Sequence, residues 1–199
     1  RSDPRQGKLL EGRSINLALS DRGWKALNKA GVADRVRQIA LPIKGRRMHD
    51  LSGNETFQVY GVGDQCIYSV SRSRLNLILV EAAEENPSLE VKFDHISTGY
   101  EMADEDGVFG VKLYFKNQSP ILHDRIFGAD GAFSVIREKM THTHRFDYTQ
   151  KYLPHGYKEI HMSPNPDGGF RMAEDGLHIW PRGKFMLMAL PNPGGSFTC

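Results

Sequence analysis

The stretch Arg125-Ile126-Phe127-Gly128-Ala129-Asp130-Gly131-Ala132-Phe133-Ser134-Val135-Ile136-Arg137 constrains the fold more than any other part of this chain. Ile126 and Phe127 close a short apolar run, two glycines bracket an acid, and the residues from Ser134 onward read as the start of a helix. A strand that breaks at glycines and turns into a helix is a binding geometry. Glycine has no Cβ, so its backbone N–H approaches a ligand closely or takes a positive φ without strain. A helix start adds orphan N–H donors and partial positive charge, which suits phosphate or an anionic ring. Taken alone, Gly-Ala-Asp-Gly describes an ordinary turn equally well. Its meaning rests on the rest of the chain.

The 199 residues allow one domain or two small ones. Net charge is +2 and no lysine–arginine run is long, which argues against a nucleic-acid binder. The densest basic cluster, Lys44, Arg46 and Arg47, sits beside Pro42 and Gly45 and is local. Cys66 and Cys199 are too few for a disulfide framework and read as free thiols of a reducing compartment, the cytoplasm. No run approaches the ~20 apolar residues of a membrane-spanning helix, and no stretch reads as a signal peptide. The chain opens without methionine and closes inside the apolar run Ser196-Phe197-Thr198-Cys199, so both ends read as cuts through a longer protein.

Residues 1–12 read as loop, and 15–19 as a brief apolar segment. Ser20 reads as the N-cap of a helix carrying Trp24, Leu27 and Ala30 and stopped by Gly31. A second helix carries Val32, Val36 and Ile39 and ends at Pro42. Residues 46–51, 56–60 and 66–70 read as strands. Ser71 caps a helix with Leu75, Ile78, Leu79 and Ala82 on one face, closed by Asn86-Pro87. The alternation Leu89-Glu90-Val91-Lys92-Phe93 predicts a half-buried strand, and residues 108–115 another after an acidic turn at 104–107. Residues 141–169 read as loop and edge strand. Residues 177–180, 184–190 and 196–199 then read as three antiparallel strands joined by turns rich in Pro and Gly. The fold class is therefore α/β, a nucleotide-binding domain interleaved with an antiparallel sheet. Residues 1–38 and 67–148 are assigned to the first, 39–66 and 149–199 to the second.

Several polar groups invite chemistry. His142-x-His144 is the tightest histidine pair, but no cysteine or carboxylate stands at ligand spacing, so no metal is expected. The acids at 104–106 lack the calcium-loop pattern, and no hydrolase motif is present. Met186 and Met188, two apart on a strand, face one side and read either as core filler or as a pliable pocket wall. Arg46 reads either as a surface cation or as a bidentate clamp for a carboxylate, with the Tyr60 phenol on the next strand. Arg47 competes with it for that role. Arg72 opens a helix, where a cation opposes the dipole; that frustration points to an anionic partner.

Six blocks carry a resemblance to the kynurenine 3-monooxygenase family of single-component flavin aromatic hydroxylases. They are Gly12-Arg13-Ser14-Ile15-Asn16-Leu17-Ala18-Leu19-Ser20, Gly45-Arg46-Arg47-Met48-His49, Tyr68-Ser69-Val70-Ser71-Arg72, the run from Phe146-Asp147-Tyr148 through His155-Gly156-Tyr157 to Glu159, Leu177-His178-Ile179-Trp180-Pro181-Arg182-Gly183, and Ala189-Leu190-Pro191-Asn192. They are colinear over nearly the whole chain. The resemblance implies a para-hydroxybenzoate hydroxylase fold, with an FAD-binding domain and a substrate domain on an antiparallel sheet. It implies hydroxylation of L-kynurenine to 3-hydroxykynurenine with O2 and NADPH, through a flavin C4a-hydroperoxide. No catalytic acid or base is assigned, because the hard chemistry belongs to the cofactor. By matching, Arg46 and Tyr60 hold the substrate carboxylate. Ala18, Arg72, Ser97, Asp130 and Gly131 contact FAD, the last two as the Asp-Gly motif. Two alternatives are a hydroxylase for another aromatic acid and a binding module that has lost its flavin.

The glycine-rich turn that binds FAD pyrophosphate in such proteins is expected upstream of Arg1, and a later Gly-Asp segment beyond Cys199. Residues 1–199 alone are therefore expected to be inactive and to hold FAD poorly. The visible spectrum after gel filtration checks this: the isolated chain should emerge colourless, and stoichiometric flavin bands would contradict it.

Overall fold

In the computed structural model, residues 3–6, 16–63, 65–105 and 107–199 are described. The block Gly12 to Ile15, most of the expected N-terminal loop, and Asp106 of the acidic turn lie outside them. The elements run β1 (Asn16–Leu19), α1 (Asp21–Lys29), α2 (Ala33–Arg37), β2 (Leu41–Ile43), β3 (Gly45–His49), β4 (Glu55–Val59), β5 (Ile67–Ser71) and α3 (Arg72–Glu84). After these come β6 (Ser97–Glu105), β7 (Val108–Phe115), β8 (Gln118–His123), α4 (Val135–Thr141), β9 (His161–Met162), β10 (Gly176–Arg182), β11 (Phe185–Pro191) and β12 (Phe197–Thr198). The chain divides into two compact units, one of residues 4–91 with 157–199 and one of residues 92–156 with 1–3.

The larger unit holds two sheets. In the first, β5 sits between β1 and β2, antiparallel to both. Helices α1 and α2 bury Trp24, Leu27, Ala33 and Val36 against Val32 and Val70, with Leu75, Ile78 and Ala82 of α3 packed on this core. Trp24 meets Tyr68 edge-on, ring centres 5.1 Å apart. Ser71 caps α3 by accepting the N–H of Arg74 at 3.4 Å. Arg35 of α2 binds Glu81 and Glu85 at the end of α3, pinning one helix to the other.

The second sheet has six strands in the order β4-β3-β10-β11-β12-β9. Its pairs are antiparallel except β3 with β10, which run parallel with Gly45 opposite Gly176 and Arg47 opposite His178. Such a join needs a long crossover, and more than a hundred residues supply it. Ala189 and Phe197 are buried here, and Phe197 meets Phe170 and His178 edge-on. The smaller unit is an antiparallel meander, β6-β7-β8, with α4 against β6. The chain is thus mixed α/β with antiparallel sheets, as its pattern indicated.

Several expectations need correction. Residues 89–93 form no strand, and Leu89 is exposed; alternation fits a pleated strand, but the segment joins no β-ladder among the described residues. Pro42 does not end α2, which stops at Arg37; it lies within β2, a strand the proline concealed. Ala30 is the exposed C-cap of α1, and Leu79 points away from the core. Ile126 and Phe127 extend no strand: β8 ends at His123, and Phe127 and Phe133 are about nine-tenths exposed. β6 and β8 escaped the sequence because their polar and apolar residues alternate poorly.

Phe197 and Phe133 are the same residue type in opposite surroundings. Truncating Phe197 to alanine should cost about 3–5 kcal/mol by cavity formation. Phe133→Ala should stay within about 0.5 kcal/mol. Urea denaturation followed by tryptophan fluorescence measures both.

Candidate functional site

Arg46 sits mid-strand in β3, opposite Gln58 of β4 and Leu177 of β10. Residues paired in register share a face, and side chains alternate along each strand. One face of the sheet therefore carries Arg46 and Met48 with Thr56 and Gln58, Leu177 and Ile179, and Met186 and Met188. Tyr60 follows β4, its N–H donating to Lys44 O at 3.2 Å, and lies on the same face. The Arg46 guanidinium stands over the Tyr60 ring, 5.1 Å from its centre. Burial pushes the Tyr60 phenol above its usual range, and Arg46 pulls the other way. The phenol therefore stays a neutral donor at ordinary pH. Among the described residues no carboxylate pairs with Arg46. The two methionines suspected of forming a pocket wall lie exposed on this same face.

Arg47 points to the other face and is already committed. Its Nε and Nη2 donate to Asp175 Oδ1 at 3.0 and 2.7 Å, Nη1 bonds Glu55, and the guanidinium covers Phe57 at 4.8 Å. Donating to the Asp175 carboxylate raises its pKa further. Neighbours in sequence, the two arginines are thus separated by the pleat: one neutralised within the protein, one free to meet an anion. Beside Arg47 lie His49, His178 and Trp180, a cluster that sequence spacing did not reveal. The spacing of His178 and Trp180, two apart in one strand, was the available signal that they share a face.

The residues matched to flavin contacts fall in both units. In the larger, Ala18 is exposed on β1 opposite Ser69 of β5, and Arg72 opens α3, exposed. No ion pair to Arg72 forms among the described residues, so the expected anionic partner is not a protein side chain there. In the smaller, Ser97 begins β6 at a bulge, and its Oγ is buried without a hydrogen-bond partner. Gly131 has φ of +90°, and the space where a Cβ would stand is open. Each unit thus carries features that suit a polar, anionic cofactor such as FAD: in the larger an exposed cation with no ion pair among the described residues, in the smaller an orphan hydroxyl and an open positive-φ glycine.

The Asp130 carboxylate itself is occupied. Ser134 Oγ donates to Oδ1 at 2.5 Å and Ile136 N–H to Oδ2 at 3.3 Å, while Ser134 Oγ accepts the Arg137 N–H at 2.9 Å. Asp130 thus fastens the turn to the start of α4. The hydrogen bond from Ser134 depresses its pKa below the ordinary carboxyl value. A depressed folded pKa means a stabilising contribution present above the unfolded value and lost as pH falls through the folded one. Ser134→Ala should therefore move the Asp130 midpoint upward, as followed by carboxyl NMR. An unchanged midpoint would show that Ser134 does not hold the acid.

No protein-family model matches the chain. The chain is 47% identical over 189 residues to the kynurenine 3-monooxygenase of Flavobacterium psychrophilum, covering 94% of this chain and 41% of that protein. It is 43% identical over 197 residues to the enzyme of that name from Dictyostelium discoideum (98% and 42% covered), and 42% over 199 to that of Sus scrofa (100% and 42%). The chain therefore spans about two-fifths of the length of these curated relatives. Among solved structures it resembles PqsL, a probable FAD-dependent monooxygenase from Pseudomonas aeruginosa, with TM-score 0.69 at 12% identity, covering 94% of this chain and 50% of that one. It also resembles Klebsiella pneumoniae HpxO complexed with FAD and uric acid, with TM-score 0.63 at 19% identity, covering 95% and 46%. Those likenesses are of fold. With identity of this order along nearly its whole length, the chain is similar to kynurenine 3-monooxygenases over about two-fifths of their length.

Proposed function

We propose that the protein to which this chain belongs hydroxylates L-kynurenine to 3-hydroxykynurenine, with FAD as cofactor, NADPH as reductant and O2 as oxidant. The identity to enzymes of that name carries the reading. Support from the geometry comes from Arg46, a guanidinium with no counter-ion among the described residues, and Tyr60, a neutral phenol, on one face. That pair suits the carboxylate of an amino acid, and the half-buried Met48 and Ile179 with the exposed Met186 and Met188 supply apolar surface for an aromatic ring. Met side chains adapt to irregular shapes, as a ring of fixed outline requires.

The chemistry supplied by bound FAD is transfer of one oxygen atom of O2 to the ring, the other leaving as water. The protein's own part is to bind, orient and exclude water. Arg46 gives two parallel hydrogen bonds to a carboxylate, and Tyr60 donates a third. Arg72 offers its charge to the cofactor, Ala18 a surface without a bulky side chain, and Ser97 and Gly131 their backbone, with Asp130 holding the turn. Under this reading residues 1–38 and 67–148 serve the cofactor, and 39–66 and 149–199 the substrate. The free thiols Cys66 and Cys199 support a reducing compartment, the cytoplasm.

The two arginines give the test. Losing one charged partner of a desolvated pair costs on the order of 2–5 kcal/mol. Arg46→Ala in the full-length protein should thus weaken kynurenine binding by roughly 30-fold or more, with Arg46→Lys recovering part. NADPH oxidation without substrate should change little. Arg47→Ala should instead lower stability, since it strands Asp175 and Glu55. Binding titrations and thermal melts of the variants measure these effects, and near-normal kynurenine affinity in Arg46→Ala would overturn the assignment.

A further inference from the structure

On the sheet face opposite Arg46, His49 of β3 and His178 of β10 meet, with His49 Nε2 and His178 Nδ1 2.9 Å apart. Each ring's far nitrogen also faces an oxygen. His178 Nε2 lies 2.8 Å from Ala173 O, and His49 Nδ1 3.9 Å from Glu55 Oε2. A carbonyl oxygen only accepts, so His178 Nε2 bears the hydrogen and, in the neutral ring, Nδ1 presents its lone pair. His178 is 1% exposed, and burial pushes its pKa down, which keeps the ring neutral. When His49 is neutral too, its Nε2–H donates to that lone pair. Its own Nδ1 lone pair then faces the Glu55 carboxylate, acceptor against acceptor.

We propose that His49 and His178 form a binding site for a divalent transition-metal ion, held by His49 Nε2 and His178 Nδ1 with Glu55 and Ala173 O as outer partners. On binding, the His49 proton passes from Nε2 to Nδ1 and turns toward Glu55. No proton leaves the protein, and the clash of acceptors is relieved. An oxygen acceptor on the far nitrogen of each ring is the arrangement that orients metal-bound histidines. Imidazole nitrogens on one tetrahedral zinc ion sit about 3.3 Å apart with their lone pairs about 35° off the line between them, so the rings part by a few tenths of an ångström and rotate to converge on the ion. Two imidazoles favour zinc, copper or nickel over magnesium or calcium, which take oxygen ligands.

Around the pair, Arg47 and Arg182, the latter donating to His49 O at 3.2 Å, balance the charges of Glu55 and Asp175, so the preference for a metal rests on the ligand atoms. The ligand-type atoms of His49, Glu55 and His178 lie within 4.8 Å of one another, the one such cluster among the described residues. Trp180 stacks on His49 at 4.3 Å and sets the plane of its ring. The His49 side chain is 15% exposed, which leaves water a path to complete the coordination. A bound ion would fasten β3 to β10 across a sequence separation of 129 residues.

Zinc titration of the full-length protein, stripped of metal by a chelator, tests this by calorimetry. One saturable site is expected. It should be abolished in His49→Phe, which keeps a ring against Trp180, and weakened roughly tenfold in Glu55→Gln. The pair His142→Ala and His144→Ala should leave it intact. Nitrogen NMR of the unaltered protein gives an independent reading: zinc should switch His49 from the Nε2–H to the Nδ1–H tautomer. Absence of saturable binding, binding that survives His49→Phe, or an unchanged tautomer would overturn the proposal.

Discussion

The parallel join of β3 to β10 is the contact on which the larger unit depends. It is made by backbone pairing at Gly45 and Gly176 and locked by Asp175, whose carbonyl accepts the Lys44 N–H at 2.7 Å while its carboxylate holds Arg47. Close approach is required here. A Cβ on Gly176 would stand 2.7 Å from Arg47 Cγ, and one on Gly45 would run into the backbone of Gln58. The ion pair is partly exposed, so its Coulomb energy is modest. Its importance is geometric: one acidic residue binds both the backbone and the side chain of the strand that carries Arg46.

That register decides which side chains share a face. Arg46, Tyr60 and the methionines occupy one side, Arg47 and the two histidines the other. A slip of one residue would exchange them, because the side-chain period of a strand is two. The free guanidinium and the committed one would then trade places. The chemical character of each face is a property of the pairing as much as of the residues.

Much of this was legible beforehand. Helices α1 and α3 announced themselves through Ser20, Ser71 and the spacing of their apolar residues, although Ser20 makes no side-chain capping bond. The hairpin β10–β11 was marked by Pro and Gly between two apolar runs. The run at 89–93 misled, because a strand exists only if another strand accepts its hydrogen bonds. Pro42 misled for the opposite reason. It signals a break in a helix, yet β2 is a three-residue edge strand that tolerates a missing donor.

Local chemistry, then, was written in the sequence: the capping serine Ser71, turn glycines, the helix start at Ser134, and the blocks shared with the kynurenine 3-monooxygenase family. These depend on neighbours within a few residues, where the chain's own geometry dictates who meets whom. Tertiary structure alone decided that Arg47, and not Arg46, belongs to Asp175, and that His49 reaches His178. Those contacts cross more than a hundred residues of chain. No periodicity reports a pairing at that distance, because loop closure costs little more for one register than for another. Only the packing of the whole sheet selects it.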